Sequence, residues 1–205
     1  MILRSHAYRQ SSAPNPQAQL VDAEARLLWR FPPQRLSAEA VRDTMLAVSG
    51  ALNPRRGGPG FDLFDTYLSG SVNIYPFREK FGPDQFRRMV YQTKPRVQLD
   101  DVFGAFDCPD GGQTAPKRNR STTPLQALNL LNSPFVLEQA ELLARRLTAE
   151  SGPDPTAQVA RAFLLALGRP PEPEETARCV SLIRERGLAA FCRTVFNLNE
   201  FIHLP

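Results

Sequence analysis

The chain has 205 residues, of which 42% are hydrophobic and 22% charged, so it can form a single domain with a hydrophobic core. That composition excludes disorder throughout, and no apolar run reaches the roughly 18–20 residues of a membrane span. A net charge of +4 is too small to indicate nucleic-acid binding, so nucleic acid is not an expected partner. The 19 prolines, scattered without a period, predict many turns and helix starts.

Cysteine and histidine patterns typical of catalysis or metal binding are missing. Cys108, Cys179 and Cys192 form no CxxC or CxxCH pair, so neither zinc nor covalently attached haem is expected in this chain. Cys179 and Cys192 lie on apolar faces of predicted helices and are expected to be small core residues. His6 and His203 occupy the two terminal segments, and flexible ends make poor general bases. We therefore expect no catalytic residue and no cofactor.

Residues 1–35 are polar, contain several prolines and predict an irregular arm. One amphipathic patch at 26–30 favours about one helical turn. The N-terminus lacks the apolar segment and cleavage site of a signal peptide, and we expect it to be the middle of a longer protein. The first helix begins after Ser37, a favoured N-cap residue, and ends before Asn53-Pro54. Its apolar face is predicted from residues spaced by four, three and four positions, namely Val41, Met45, Val48 and Leu52.

Residues 54–122 are predicted to be mostly irregular. Glycine, proline and aromatic residues between 54 and 82 exclude one regular helix and predict a long ordered loop. Its aromatic side chains either pack as a buried cluster, which we favour, or form a platform on which sugars stack. A short helix is predicted at 84–92 and a second irregular stretch at 93–122.

Helix starts become clear from Thr123 onward. Thr123-Pro124, Ser133-Pro134 and Asp154-Pro155 each place a capping oxygen before a proline at the first helical position. The predicted helices are 124–131, 134–149, 155–167, 173–186 and 188–198. The fold class is therefore mainly α, with an N-terminal helix, long ordered irregular loops and a C-terminal antiparallel helix bundle. We expect two regions, 1–122 and 123–205, packed together as one domain.

Charged residues at helical spacing surround the start of the first helix. Arg35, Glu39, Arg42 and Asp43 are separated by three or four positions in several combinations. We interpret them as local ion pairs on a solvated face, each contributing about 0.2–0.5 kcal/mol. The alternative is a polar cluster that faces a partner or a substrate.

Two acidic residues in the second irregular stretch are weak candidates for a metal site. Asp107 and Asp110 offer carboxylates in a tight turn, with Asp100-Asp101 upstream, and carboxylates are ligands of Ca²⁺. The pattern of a recognised calcium loop is missing. The favoured interpretation is a turn in which the side-chain oxygens accept backbone hydrogen bonds.

A short basic patch follows in the same stretch. Lys117, Arg118 and Arg120 are candidates for contacts with phosphate or with a partner. No aromatic residues are interleaved with them, so nucleic-acid binding is the weakest of the functions considered. A solvated loop, or arginines that bond neighbouring carbonyls, is favoured.

Nine short sequences, taken in order, resemble a known family. They are YRQSS at 8–12, RLLWR at 26–30, RLSAEAVRD at 35–43, VSG at 48–50, GGP at 57–59, RRMVY at 87–91, FDCPD at 106–110, TTPLQAL at 122–128 and NEF at 199–201. The chain resembles the planctomycete surface domain family, a domain of unknown function that ends many large proteins of planctomycete bacteria and their relatives. The resemblance extends from about Ser5 to the end of the chain. Two departures, Ala25 for the usual Asn and Gln34 for a frequent Arg, put in doubt a polar network around the first helix.

The resemblance implies that the chain is the C-terminal part of an exported protein at the periplasm or cell surface. Family members carry upstream a signal peptide, a cytochrome-c-like haem segment and a second uncharacterised domain, so haem is implied only for upstream domains of a parent protein. The expected function is a non-catalytic structural or interaction module whose partners are neighbouring domains or a separate subunit. The alternative is a component of a haem-linked redox or polysaccharide-processing enzyme whose active site is completed by those upstream domains.

Overall fold

A computed structural model describes residues 1–78, 80–95, 103–109, 112, 114 and 116–204. It is 49% helical and contains only two small antiparallel sheets in these ranges, which confirms the mainly α fold. The helices are α1 (Pro16–Val21), α2 (Ala38–Ser49), α3 (Pro124–Asn132), α4 (Pro134–Ser151), α5 (Pro155–Leu167), α6 (Pro173–Arg186), α7 (Leu188–Phe196) and α8 (Asn199–Ile202). None of the described helices is long and apolar enough to cross a bilayer.

The remaining regular elements are short. The strands are β1 (Gln34–Arg35), β2 (Tyr67–Ser69), β3 (Val72–Ile74) and β4 (His203–Leu204), and 3-10 helices lie at Ile2–Arg4, Met89–Tyr91 and Gly104–Phe106. Strands β2 and β3 form a hairpin, whereas β1 pairs antiparallel with β4 and joins the end of the arm to the last residues of the fold.

The helix starts agree with the capping signals in the sequence. The Ser37 hydroxyl accepts a hydrogen bond from the backbone N–H of Ala40, and Asp154 caps α5 in the same way. Proline occupies the first turn of α3, α4, α5 and α6, where its missing N–H leaves no intrahelical bond unmade. Helix α2 ends at Gly50, which adopts a left-handed conformation with φ of +81°.

Helix α4 lies at the centre of the fold and packs against α2, α3, α5 and α7. Its side chains Val136, Leu143 and Leu147 are fully buried. They share one core with residues from the first half of the chain, namely Val41, Met45, Leu46, Met89, Phe103 and Phe106. Burial of each such side chain stabilises the fold by about 1.5–3 kcal/mol, so the core joins the early helix to the C-terminal bundle.

The prediction of a helix at 84–92 is wrong. This segment forms a turn followed by the 3-10 helix Met89–Tyr91. The backbone groups of the segment bond to side chains of α2 instead of to each other: Arg42 donates to the carbonyls of Gln85 and Arg87, and Asp43 accepts from the N–H of Met89. An α-helix would need several of these backbone groups for its own ladder.

The aromatic segment packs as a buried cluster, as favoured from the sequence. Phe61, Leu63 and Phe64 form a second small core. The ring of Phe64 packs edge-on against that of Phe77, with 5.3 Å between centroids. Further edge-on contacts pass through Phe81 to Phe135 of α4, which connects the loop to the main core. The hairpin β2–β3, which the sequence did not predict, projects from this cluster with all six strand residues exposed.

Candidate functional site

Arg42 is fully buried and binds the backbone of the segment that follows the aromatic loop. Its guanidinium donates to the carbonyls of Arg87 at 2.8 Å and Gln85 at 2.5 Å. It lies between the rings of Phe61 and Phe135, about 5 Å from each centroid. The sequence placed Arg42 on a solvated or partner-facing helix surface, and that placement is wrong, because α2 turns this side chain into the core.

Arg87 was not singled out from the sequence, yet it fixes the glycine-rich loop at 55–60. The guanidinium donates to the carbonyls of Pro59 at 2.7 Å, Gly57 at 2.6 Å and Arg55 at 3.3 Å, and lies 4.0 Å above the ring of Tyr91. The Tyr91 hydroxyl in turn accepts from the N–H of Gly57. A buried guanidinium with carbonyl acceptors and an aromatic face is well satisfied, so Arg87 holds the loop in place.

Asp43 connects α2 to the same segment. Its carboxylate accepts from the backbone N–H of Met89 at 2.7 Å and from Nε of Arg88 at 3.0 Å. Arg42 lies farther away, with 3.9 Å between the nearest charged atoms. The Asp43 carboxylate therefore has a structural task that the spacing along α2 did not predict.

A second polar group joins β1 to the start of α3. Arg35 is buried, and its guanidinium contacts the Asp107 carboxylate at 2.5 Å and the Phe106 carbonyl at 3.3 Å. Asp107 also accepts from the backbone N–H of Ser121 at 2.7 Å and from its hydroxyl at 2.9 Å. Gln126, at the start of α3, donates to the carbonyls of Ala105 and Ser121. These bonds fasten three separate stretches of chain together.

The surroundings of Asp107 keep its carboxyl group ionised. Burial raises the pKa of Asp107, but the hydrogen bonds from Ser121 and the charge of Arg35 outweigh burial, and the net pKa lies below its usual value. Its oxygens are thus engaged by protein donors, which does not fit a calcium ligand. Asp110 and Asp100-Asp101 lie outside the described residues. Within the described part of the chain, no three His, Cys, Asp or Glu side chains are arranged to hold a metal ion.

The basic patch faces the start of α2. Arg118 contacts Glu39 at 2.8 Å, Arg120 donates to the side-chain carbonyl of Gln34 at 2.5 Å, and Lys117 is exposed. Burial raises the pKa of Glu39, but the hydrogen bond and charge of Arg118, with a smaller effect of Lys94, bring its pKa below the usual value. The expected local ion pairs of α2 are thus replaced by pairs with residues far along the chain.

Lys94 and Cys108 form a contact that sequence reasoning missed. The Lys94 ammonium donates to Sγ of Cys108 at 2.7 Å. Both residues belong to an irregular stretch without periodicity, so nothing in the sequence pointed to their contact. Among the cysteines, burial raises the pKa of Cys179 and raises that of Cys192 to about 12.

A shallow depression of about 490 Å³ lies beside β4. Its lining residues come from the arm, from the loop before α3, from α8 and from β4; they are Ser12, Pro33, Thr122, Asn199, Glu200 and His203. Arg169 binds the Glu200 carboxylate through two bonds of 2.7 Å and also pairs with Glu175. The Glu200 carboxylate of the depression is thus already bound by a guanidinium group of the protein.

Comparison with protein-family models decides the family. The model of PSD1, a protein of unknown function (DUF1553), matches residues 1–183. The chain belongs to the PSD1 family. Comparison with curated proteins and with solved structures gives no significant match. The family resemblance noted in the sequence is therefore confirmed, and the matched range includes the contacts of Arg35, Arg42 and Arg87.

Exposed apolar side chains of this PSD1 family member concentrate in two segments. One is the arm, where Met1, Ile2, Leu3, Tyr8, Leu20, Val21, Leu27 and Leu28 are exposed. The other is the β2–β3 hairpin, with Tyr67, Leu68, Val72 and Ile74.

The part of the arm at 20–29 is held by hydrogen bonds of its own. The Asp22 carboxylate accepts from the N–H of Leu27 at 2.7 Å, and its backbone carbonyl accepts from the indole N–H of Trp29 at 2.8 Å. Leu28 has a φ of +59°, which is unusual for a leucine, yet its side chain remains 60% exposed. An ordered turn therefore presents Leu27 and Leu28 to solvent.

Proposed function

We propose that this PSD1 chain is a non-catalytic interaction module that docks onto another folded protein domain through the turn at 20–29. The observation that carries the proposal is the pair Leu27 and Leu28, exposed by 75% and 60% on a turn fixed by Asp22. Ordering exposed leucines in a strained backbone costs free energy, and burial against a partner would recover it. Exported multidomain proteins, to which the family resemblance points, offer such partners as neighbouring domains or subunits.

The charges around the turn favour a protein partner over an anionic membrane. Asp22 and Glu24 balance Arg26 and Arg30, so the segment carries no excess of positive charge. Attraction to anionic lipid requires such an excess, at about 1 kcal/mol for each basic residue. An apolar centre with a rim of mixed charge is the composition of a protein interface.

The polar groups in the interior support a structural role. Arg35, Asp107, Glu39 and Asp43 are each engaged by protein donors or acceptors. The second candidate, a component of a haem-linked redox or polysaccharide-processing enzyme, would need its reacting groups from other domains. No contact described above favours that candidate over the first.

A photo-crosslinking residue at position 27 tests the proposal in the cells that make the protein. We expect crosslinks to one discrete protein or domain, whereas the same residue at Leu164, an exposed leucine of α5, gives none. The purified partner should bind the wild-type chain and lose at least about tenfold in affinity for Leu27→Asp. Equal crosslinking at both positions, or crosslinks to lipid alone, would overturn the proposal.

A further inference from the structure

The depression beside β4 brings polar side chains from separate stretches of the chain to one place. Its volume of about 490 Å³ lies within the roughly 300–1,000 Å³ of sites that bind small ligands. Among the described residues, the side chains of Ser12, Thr122 and Asn199 have no hydrogen-bond partner. Each of these groups can both donate and accept a hydrogen bond. A ligand in the depression can therefore bond to several of them at once.

His203 adds an acceptor to the same depression. Its Nδ1 atom lies 2.9 Å from the backbone carbonyl oxygen of Asn199. A carbonyl oxygen only accepts hydrogen bonds, so Nδ1 carries a proton. In the neutral ring Nε2 is then unprotonated, and no described residue bonds to it. The ring lines the depression, and Nε2 is the nitrogen left to accept from a ligand.

The lining is held in place by bonds of the protein itself. The arm is fixed beside Ser12, where the carbonyl of Ser11 accepts from the N–H of Phe31 at 3.2 Å. The loop before α3 is fixed beside Thr122, since the preceding residue bonds to the Asp107 carboxylate. Helix α8 is held by the two guanidinium bonds described above, and β4 by its pairing with β1. A ligand therefore meets groups that are already ordered, which lowers the entropic cost of binding.

The charges of the lining disfavour an ionic ligand. Glu200 is the acidic residue of the lining, and both of its oxygens already accept from Arg169. An anion would face this carboxylate, and a cation would compete with the guanidinium for it. The remaining polar groups are hydroxyls, an amide and an imidazole nitrogen. They match a neutral ligand that both donates and accepts hydrogen bonds.

We propose that this depression is a carbohydrate-binding site, which takes a neutral ligand with several hydroxyl groups. Each hydroxyl of a sugar donates and accepts, as do the groups of Ser12, Thr122 and Asn199. Pro33 adds apolar surface for the C–H groups of a sugar ring. Binding here involves no reaction and is independent of docking through the turn at 20–29.

A glycan array probed with the full chain at pH 8, where histidine is ordinarily neutral, tests the ligand class. The array carries neutral glucans, mannans and galactans, anionic sulfated and uronic-acid oligomers, and cationic glucosamine oligomers. We expect binding to at least one neutral glycan and no stronger binding to the charged ones. Binding confined to charged glycans, or to none, would overturn the proposal.

The two histidine rings report where the glycan binds, without any variant. On titration with the bound neutral glycan, NMR should show a shift of Nε2 of His203, because this nitrogen accepts a new hydrogen bond. The ring of His6 is exposed in the arm and should stay unchanged. A glycan that leaves His203 unmoved, or that moves both rings equally, binds elsewhere, and the proposal then fails.

A double variant, Thr122→Val with Asn199→Ala, removes two polar groups of the lining and keeps the charge of the chain. It should weaken binding of the same glycan at least about tenfold, since each lost hydrogen bond lowers affinity. Thr156→Val with Asn132→Ala makes the same substitutions at exposed positions outside the depression and should bind as wild type. Circular dichroism confirms folding, and the histidine shifts of the wild type decide if the first variant does not fold. A folded first variant that binds as well as its control would overturn the proposal.

Discussion

At the scale of single residues, buried arginines organise this protein more than its carboxylates do. Arg42 and Arg87 are fully buried. Both guanidinium groups donate hydrogen bonds to backbone carbonyls of the described loop residues. Each guanidinium presents five donors in a planar fork, so one side chain can satisfy the carbonyls of an irregular loop. Lysine, with a compact charge, would not reproduce this geometry.

Replacement of Arg87 by methionine should lower the free energy of unfolding by about 2–3 kcal/mol, because the carbonyls of the glycine-rich loop lose a charged donor. The neighbouring Arg88 is the matched control, since its side chain is largely exposed and pairs with Asp43. Arg88→Met should cost less than about 1 kcal/mol. Urea denaturation followed by circular dichroism measures both, and equal losses would contradict the assignment of Arg87.

At the scale of elements, the C-terminal helices could be predicted because their signals are local. Helices α3 and α5 have the N-caps Thr123 and Asp154, each followed by a proline. These residues lie within four positions of the backbone hydrogen bonds at the helix start. Observed helices α3 to α7 begin where the sequence placed them, although α7 ends two residues early. The segment 84–92 could not be predicted, because the partners of its backbone, Arg42 and Asp43, lie more than forty positions away.

The close approach between the glycine-rich loop and the 3-10 helix Met89–Tyr91 gives a second prediction. A Cβ at Gly60 would lie 2.7 Å from the backbone carbonyl oxygen of Tyr91, closer than packed atoms allow. Gly60→Ala should therefore destabilise the protein by about 1–3 kcal/mol. At Gly82 the nearest atom is the side-chain oxygen of Gln85 at 3.5 Å, an ordinary contact.

Gly82→Ala is thus the control for Gly60→Ala and should stay within about 0.5 kcal/mol of wild type. Thermal unfolding of the two variants measures the difference. A Gly60→Ala variant as stable as Gly82→Ala would mean that the loop and the 3-10 helix do not lie as close as described.

At the scale of the whole molecule, paired carboxylates set the response to acid. The pKa of Asp107 is lowered by its hydrogen bonds from Ser121 and by Arg35. Bound arginines likewise lower the pKa of Glu150, and they lower that of Glu175 to about 2. Glu138 opposes them, since burial and Glu141 raise its pKa. A carboxyl group whose pKa is lower in the folded state stabilises the fold above its unfolded pKa and loses this effect as the pH falls.

We therefore expect the free energy of unfolding to change little between pH 7 and 5 and to fall below about pH 4.5, where the unfolded chain takes up protons first. Urea denaturation at a series of pH values measures this. Glu175→Gln should lose less stability than wild type between about pH 4.5 and 2.5, because it has one lowered carboxyl group fewer. Stability that stayed constant down to pH 3 would contradict the pairing of these carboxylates.

The candidate sites show how far sequence reasoning reaches in an irregular region. Arg35, Glu39, Asp107 and Arg118 were named from the sequence, but their partners were assigned within the same helix or turn. The structure pairs Arg35 with Asp107 and Glu39 with Arg118. Lys94 was missed altogether. Periodicity carries information about neighbours within one element and none about loops that meet in space.

The pairing of β1 with β4 has a consequence for the order of folding. It joins Arg35 to His203, and the N–H of Leu36 bonds to the carbonyl of Ile202, so it closes almost the whole chain into one loop. Closing so long a loop costs conformational entropy, which only later contacts offset. We therefore expect the β1–β4 pairing to form after the helices have packed. During synthesis on the ribosome, β1 can therefore pair only after β4 has left the exit tunnel, and the backbone groups of Gln34 and Arg35 stay without this partner until then.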